Sequence, residues 1–500
     1  MNRRDALRWT AHGLAAVPIG ALLGGCADDE KAERNGTSAP PHGSNPSTTA
    51  PAAPANAKWW LDGNFGPVTK EVEAVDLAVH GAIPPELTGL YVRNGSNPVT
   101  GDSSMWFFGD GMGHGVRLER GKALWYRNRY VQTPLVAARA GFGQTPPGGQ
   151  ANQSNVSFFH HAGRLLSSGE VGFPFEVDTT DLSTRGVYDF GGQLTSAFTA
   201  HPKVDPATGF MHSFGYGFLP PYLTYHVTDA SGSMIHNEIV PVSRPTMIHD
   251  FAITERDVVF WELPVVFDLA AATQWVKDPS SGAQPFAWKP DTGARIGIMP
   301  LGGPTGAIQW HSIDPCYVFH GVNAYRDGHK VVLDVCRLSS MFDASVAGFG
   351  GDLTLRRWTV DTVSRTVTDD IVRDQDPGEL PSRDPRRIGR QHRYGYLVQS
   401  HTPPGGVVSF GGLIKHDYLH DSREVWRPAK GVHSGEWLFV PAGDDPAEDA
   451  GYLLSYLYDD ARATSELAIV DASDVRSGPV ARIALPQRVP YGFHAAWVPA

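Results

Sequence analysis

From residue 58 onward the chain is written in short apolar runs separated by turn residues. Val258-Val259-Phe260-Trp261, Tyr222-Leu223-Thr224-Tyr225-His226-Val227, Val331-Val332-Leu333-Asp334-Val335 and Tyr452-Leu453-Leu454-Ser455-Tyr456-Leu457 are four to six residues long and rich in β-branched and aromatic side chains. Bounded by Asp-Gly, Asn-Gly and Pro-Gly pairs, such runs predict strands. Helical spacing is confined to two short stretches, residues 268–277 and 133–140. The 55 glycines and 39 prolines supply many tight turns and speak against a helical protein. No linker-like shift in composition divides the chain after residue 60, so residues 58–500 are expected to form one all-β domain. Many short strands at this length suit a β-propeller, whose radial repetition protects its strand edges. No clean period of blade length is visible.

The first 57 residues follow other rules. Residues 1–26 carry Arg3-Arg4, an apolar stretch from Leu14 to Leu23, and Leu23-Gly24-Gly25-Cys26. The apolar stretch is too short to span a bilayer stably. The segment resembles a twin-arginine export signal ending in a lipoprotein box, with cleavage before Cys26 and lipidation of its thiol. Lipid on one residue anchors a chain without spanning the membrane. Residues 27–57, rich in Pro, Ser and Ala, have too few apolar side chains to offset ordering entropy and are expected to be a disordered tether. The expected location is therefore extracytoplasmic, held at a membrane surface.

Composition narrows the partners. The net charge is −11 and no basic block is present, which disfavours nucleic-acid binding. Cys26, Cys316 and Cys336 have no paired spacing, so neither a disulfide framework nor a zinc knuckle is expected. Cys316 and Cys336 lie in apolar runs and read as buried packing thiols. Oligomeric state leaves no signature.

Among 20 histidines, four share a setting: His201 in AFTAHPKVDP, His249 in MIHDFAIT, His320 in YVFHGVNAY and His494 in YGFHAAW. Each stands in or beside a short apolar or small-residue strand followed by a turn or polar anchor. His114, His160, His161, His311 and His392 are competing candidates, and any one histidine in an apolar run is more often a hydrogen-bonded core residue than a ligand. Imidazole suits Fe, Zn, Cu and Ni. Four neutral ligands leave the ion's charge uncompensated locally, so such a site needs acids to accept the other ring N–H and fix the tautomer. Glu170, Glu379 and Glu436 lie in suitable strand-like settings, although each taken alone also fits a salt bridge.

The ordered set of motifs resembles the carotenoid cleavage oxygenase family. The resemblance runs from about residue 60 to the C-terminus through GLYVRNGSNP from Gly89, WFFGDGMGHGVRL from Trp106, ALWYRNRYV from Ala123 and FTAHPKVDPATG from Phe198. It continues through MIHDFAIT from Met247, IDPCYVFHGVNAY from Ile313, RDPRRIGRQHRYGY from Arg383 and GFHAAWVP from Gly492. It implies a seven-bladed propeller with a dome of loops and short helices over the metal, and one Fe(II) per chain on His201, His249, His320 and His494. It also implies Glu170, Glu379 and Glu436 as the acids behind those ligands. Ala495 stands where the family usually has Gly, and Val156 where many relatives have Thr.

The activity implied is O2-dependent cleavage of a carbon–carbon double bond in a carotenoid or apocarotenoid to two carbonyl products. A polyene has few polar handles, so an apolar tunnel must select the bond. Trp106, Phe107, Phe108, Phe158, Phe159, Phe173, Phe175, Trp261 and Phe319 are candidates for its lining, against the alternative that most are blade packing. Cleavage of stilbenes is the second reading. Stilbene cleavers of the family bind a phenol through Tyr and Lys after the YRNR motif, whereas here Lys122 is followed by no Lys until Lys203, and Pro134-Leu135 occupy the neighbourhood. A non-catalytic binding propeller is a third. A hydrolase is disfavoured by the lack of a G-x-S-x-G elbow.

Overall fold

The computed structural model describes residues 58–139, 152–278, 284–343, 350–401, 407–443 and 446–500. The export signal, the tether and Cys26 lie outside the described residues.

Seven antiparallel sheets of four to six strands form the blades of a β-propeller. Blade I combines Glu73–Val75, Gly89–Arg93, Met112–Glu119 and Lys122–Tyr130 with the C-terminal strand Ala495–Pro499. Blades II and III follow in sequence from Ser157–His161 to Thr184–Val187 and from Lys203–Val204 to Met234–Ile239. Blade IV runs from Ala252–Ile253 to Gln309–Ile313, blade V from Tyr317–Asp327 to Val367–Arg373, and blade VI from Gly378–Ser382 to Ser422–Trp426. Blade VII is built on Gly451–Asp459, Thr464–Asp471 and Pro479–Ala484, and its outer edge is Val79–Gly81 from the beginning of the domain.

Both ends of the domain are thus sewn into the ring. Gly89 pairs with Pro499 and Arg93 with Ala495, so the last strand completes the first blade. This closure explains why no boundary divides the sequence after residue 60: the first and last hundred residues share two sheets. The apolar runs that read as strands are middle strands of their sheets, flanked by a partner on each side. All six residues of Asp257–Glu262 and all six of Leu223–Thr228 are buried, because neighbouring blades cover both faces. The outer strand Met234–Ile239 instead alternates between exposed and covered positions, as a sheet edge facing water requires.

The two helical stretches form where expected. Asp268 caps Leu269–Lys277 by accepting from the Ala271 N–H, and Thr133 caps Pro134–Ala138 by accepting from Val136. The first belongs to an insertion in blade IV, together with the hairpin Val265–Phe267 and Phe286–Trp288. Among the described residues no helix is long and apolar enough to cross a membrane.

Candidate metal centre

The four histidines singled out in the sequence meet on the propeller axis. His201 stands just before the inner strand Lys203–Val204 of blade III and His249 just before Ala252–Ile253 of blade IV, His494 directly precedes the inner strand of blade I, and His320 lies within the inner strand of blade V. His201 Nε2 is 2.9 Å from His249 Nε2, which is 3.2 Å from His320 Nε2, which in turn is 3.2 Å from His494 Nε2. All four ligand atoms lie within 4.8 Å of one another. Imidazole nitrogens held about 2.1 Å from a shared divalent ion sit about 3 Å apart at adjacent coordination positions. The donor set therefore fits one metal ion.

Three of the rings are oriented from behind. His249 Nδ1 is 2.5 Å from Glu170 Oε1, His320 Nδ1 is 2.6 Å from Glu379 Oε2, and His494 Nδ1 is 2.9 Å from Glu436 Oε1. With Nδ1–H donating to a carboxylate, the Nε2 lone pair is left facing the centre. The three carboxylates also place negative charge around a site whose donors are neutral. Burial, together with the imidazoles of His494, His249 and His320, holds His201 well below its ordinary pKa, so it is a neutral donor at pH 7. Glu436→Gln keeps the shape but not the charge. It is expected to weaken metal binding about 10- to 100-fold, read by titrating metal-free protein with the ion.

Local chain chemistry explains these positions. In blade V the register slips on both sides of Gly321, and this bulge redirects the His320 side chain out of the ladder. His494 is set by backbone: its N–H donates to Val156 O, its carbonyl accepts from Asn94 N–H, and Phe493 N–H donates to Asn94 O. That approach requires Gly492, where a Cβ would sit 2.5 Å from Asn94 O. Glu436 holds the next residue as well, since Ala495 N–H donates to its Oε2 at 2.7 Å. His201 N–H donates to Thr199 Oγ1, while Ser168 Oγ donates to the Thr199 carbonyl.

The competing histidines have other partners. His114 bonds the Tyr126 hydroxyl, His161 the Gly209 carbonyl, and His392 lies 3.3 Å from Asp334. His160 and His311 sit in blade strands away from the cluster. Cys316 and Cys336 are free and buried, and burial pushes the Cys316 thiol up to about 12.

The aromatic candidates divide. Phe319 stands edge-on to His249 at 5.1 Å, Phe107 lies 6.4 Å from Phe319, and Phe108 packs on Trp275 of the blade IV helix at 5.2 Å. Trp106 is buried against Phe65 and Phe493. Phe158 and Phe175 lie instead in a core between blades with Leu90 and Val92, and Phe173 lies in another with Leu166. Phe159 stacks on Phe198, and Trp261 is buried in the largest core. These five are blade packing, because alternation along a strand sends half its aromatics into the inter-blade layers. Phe493, missed in the sequence, contacts Phe107 at 5.8 Å; its place beside His494 was the available signal. Lys203 and Asp250 were missed as well, although they stand inside the AHPK and IHD motifs.

A propeller that carries four converging imidazoles on its axis, three of them backed by glutamates, is built as a metal-dependent redox or Lewis-acid enzyme. Residues 65–499 match the family model described as retinal pigment epithelial membrane protein. A carotenoid cleavage oxygenase of Mycobacterium tuberculosis is 37% identical over 504 residues, which span 90% of this chain and 99% of the relative. The crystal structure of lignostilbene dioxygenase from Pseudomonas brassicacearum superposes with a TM-score of 0.80 at 28% identity, covering 90% of this chain and 100% of that one. A variant of the apocarotenoid oxygenase of Synechocystis gives a TM-score of 0.77 at 26% identity, over 87% and 97% of the two chains. The chain belongs to this family of carotenoid cleavage oxygenases.

Proposed function

We propose that the protein is a non-haem Fe(II) dioxygenase that cleaves a carbon–carbon double bond of a carotenoid or apocarotenoid to carbonyl products, with O2 as co-substrate. The observation that carries this reading is the convergence of four Nε2 atoms with an aromatic wall beside them, Phe319 edge-on to His249 and Phe107 next to it. His201, His249, His320 and His494 would hold the iron, and Glu170, Glu379 and Glu436 would hold the Nδ1 protons of three of them. Bound Fe(II) supplies the activation of O2 for reaction with the polyene. Four imidazoles would leave room on such an ion for small ligands. Phe107, Phe319 and Phe493 offer an apolar surface against which a hydrocarbon lies without losing hydrogen bonds.

Stilbene cleavage is the second reading, favoured by similarity to the lignostilbene dioxygenase. Against it, Lys122 is exposed on an outer blade strand and Pro134–Ala138 forms a short helix that offers no lysine. The test is incubation under air with carotenoids, apocarotenals and hydroxystilbenes, with mass analysis of the aldehydes. Apocarotenoid products with about one iron per chain are expected; turnover of hydroxystilbenes alone replaces the first reading with the second.

The leader supports a location. Arg3-Arg4 and the Leu23-Gly24-Gly25-Cys26 box fit export of a folded, iron-loaded protein and attachment by lipid beside a bilayer in which carotenoids dissolve. Iron loading before export suits a metal that site affinity does not favour over Cu(II) or Zn(II). Cys26→Ser should release the protein from the membrane fraction; equal association of both forms, with no lipid on either, refutes the anchor.

A further inference from the structure

The four histidines are not held alike. His249, His320 and His494 each donate Nδ1–H to a glutamate, whereas His201 has no carboxylate partner among the described residues. Two residues beyond His201, the Lys203 side chain is buried and its Nζ lies 2.6 Å from Asp250 Oδ1. Asp250 directly follows His249 and is itself buried. The same Oδ1 accepts from Phe251 N–H at 2.8 Å, and Oδ2 accepts from Gly321 N–H at 3.0 Å. Gly321 directly follows His320, at the bulge that redirects that ring. One carboxylate thus joins the segments bearing His201, His249 and His320, from blades III, IV and V.

We propose that Asp250, through Lys203 and the Gly321 amide, is a positioning residue that sets the spacing of three of the four metal ligands. The proposal rests on the metal-centre reading above. Taking an ammonium and a carboxylate out of water is expensive, and a well-packed apolar pair is often as stable or more so. The pair borders the largest core, with Lys203 Nζ 5.8 Å from the Phe251 ring, and the Arg383 guanidinium is a second cation close enough to act on both Lys203 and Asp250. A charged pair at this junction is therefore poorly explained as stabilisation. It is well explained as a device that fixes register between separate segments, the best-attested use of buried polar pairs. For His201, which has no glutamate partner among the described residues, the Lys203 tether ties its loop to the loop of its neighbour in the ring.

The test uses Co(II) as the probe, added to metal-free full-length protein and to the double variant Lys203→Met/Asp250→Asn. A second double variant, Lys415→Met/Asp449→Asn, removes a pair at 2.7 Å between a buried lysine and a half-buried aspartate in another part of the ring. Melting temperature, Co(II) affinity and the visible ligand-field spectrum are read for each. The Lys203/Asp250 variant is expected to fold, to bind Co(II) about 10- to 100-fold more weakly, and to show a shifted spectrum, as loss of groups that orient ligands does. The Lys415/Asp449 variant is expected to change melting temperature alone. If the Lys203/Asp250 variant fails to fold, Lys203→Arg keeps the charge while moving the donor, and its spectrum carries the test. A folded variant, or Lys203→Arg, with wild-type affinity and spectrum overturns the proposal. Wild-type protein that takes up no Co(II) removes the metal-centre reading and the proposal with it, an outcome visible before any variant is compared.

Discussion

His320→Ala is expected to abolish stoichiometric iron binding and to lower turnover by more than about 100-fold, beyond the range for losing an outer hydrogen-bond partner. The substitution removes one of four donors, and its effect does not stop there. Glu379 Oε2 loses the ring N–H 2.6 Å away and keeps only the Leu380 N–H, and losing one hydrogen bond to a charged group in a covered site costs about 1–3 kcal/mol. His249 and His494, both 3.2 Å from His320 Nε2, lose their common neighbour. The fold itself should survive, because the inner strand of blade V is held along its length by pairing with Lys330–Leu338. The companion His392→Ala separates the roles. His392 is as buried as His320 but lies beside Asp334 and Asn323, away from the cluster. It should lower stability and leave iron content unchanged. Iron analysis after anaerobic purification, with circular dichroism on both variants, decides the matter. Full iron content in His320→Ala would refute the ligand assignment.

Stability is expected to fall steeply between about pH 6 and pH 4, and buried histidines outside the metal centre are the reason. Burial lowers His212 and His416 to about 4 and His226 and His392 to about 3. In the unfolded chain each titrates near 6.5. As pH drops through 6.5 the unfolded state takes up protons that the folded state refuses, so stability falls with falling pH. Each such group contributes about 1.4 kcal/mol per pH unit across its window. Asp110 works the other way: burial raises it to about 6, so the folded state binds its proton first and offsets one histidine. The remaining three or so protons give a slope of about 4 kcal/mol per pH unit, large against a total stability of about 5–15 kcal/mol. His114, buried and also held well below its usual value, acts in the same direction. The slope of unfolding free energy against pH measures the number directly. His416→Gln should reduce it by about one proton; an unchanged slope would show that His416 titrates normally in the folded chain.

Much of this protein is legible in one dimension. The runs at residues 258–261 and 331–335 are strands because β-branched and aromatic side chains suit a pleated, covered surface, and that preference is local. Asp268 and Thr133 begin helices because a side-chain oxygen can accept a free N–H three residues on, which is also local. The four histidines and three glutamates stand out through the motifs around them.

What no local pattern contained is pairing. His249 with Glu170, His320 with Glu379 and His494 with Glu436 are separated by 79, 59 and 58 residues. Only the packing of separate blades around one axis brings them within hydrogen-bond distance. The same holds for the aromatics: Phe158 and Phe319 have similar apolar neighbours in sequence, yet one faces another blade and the other faces His249. Which side a strand residue takes depends on register, and a register slip of one residue reverses every side chain. The Asp250 junction is the clearest case. Its residues were visible beside three histidines, but one carboxylate reaching three segments exists only once blades III, IV and V are packed against one another. Propensity and motif are properties of neighbours along the chain. The metal centre is a property of neighbours around the ring.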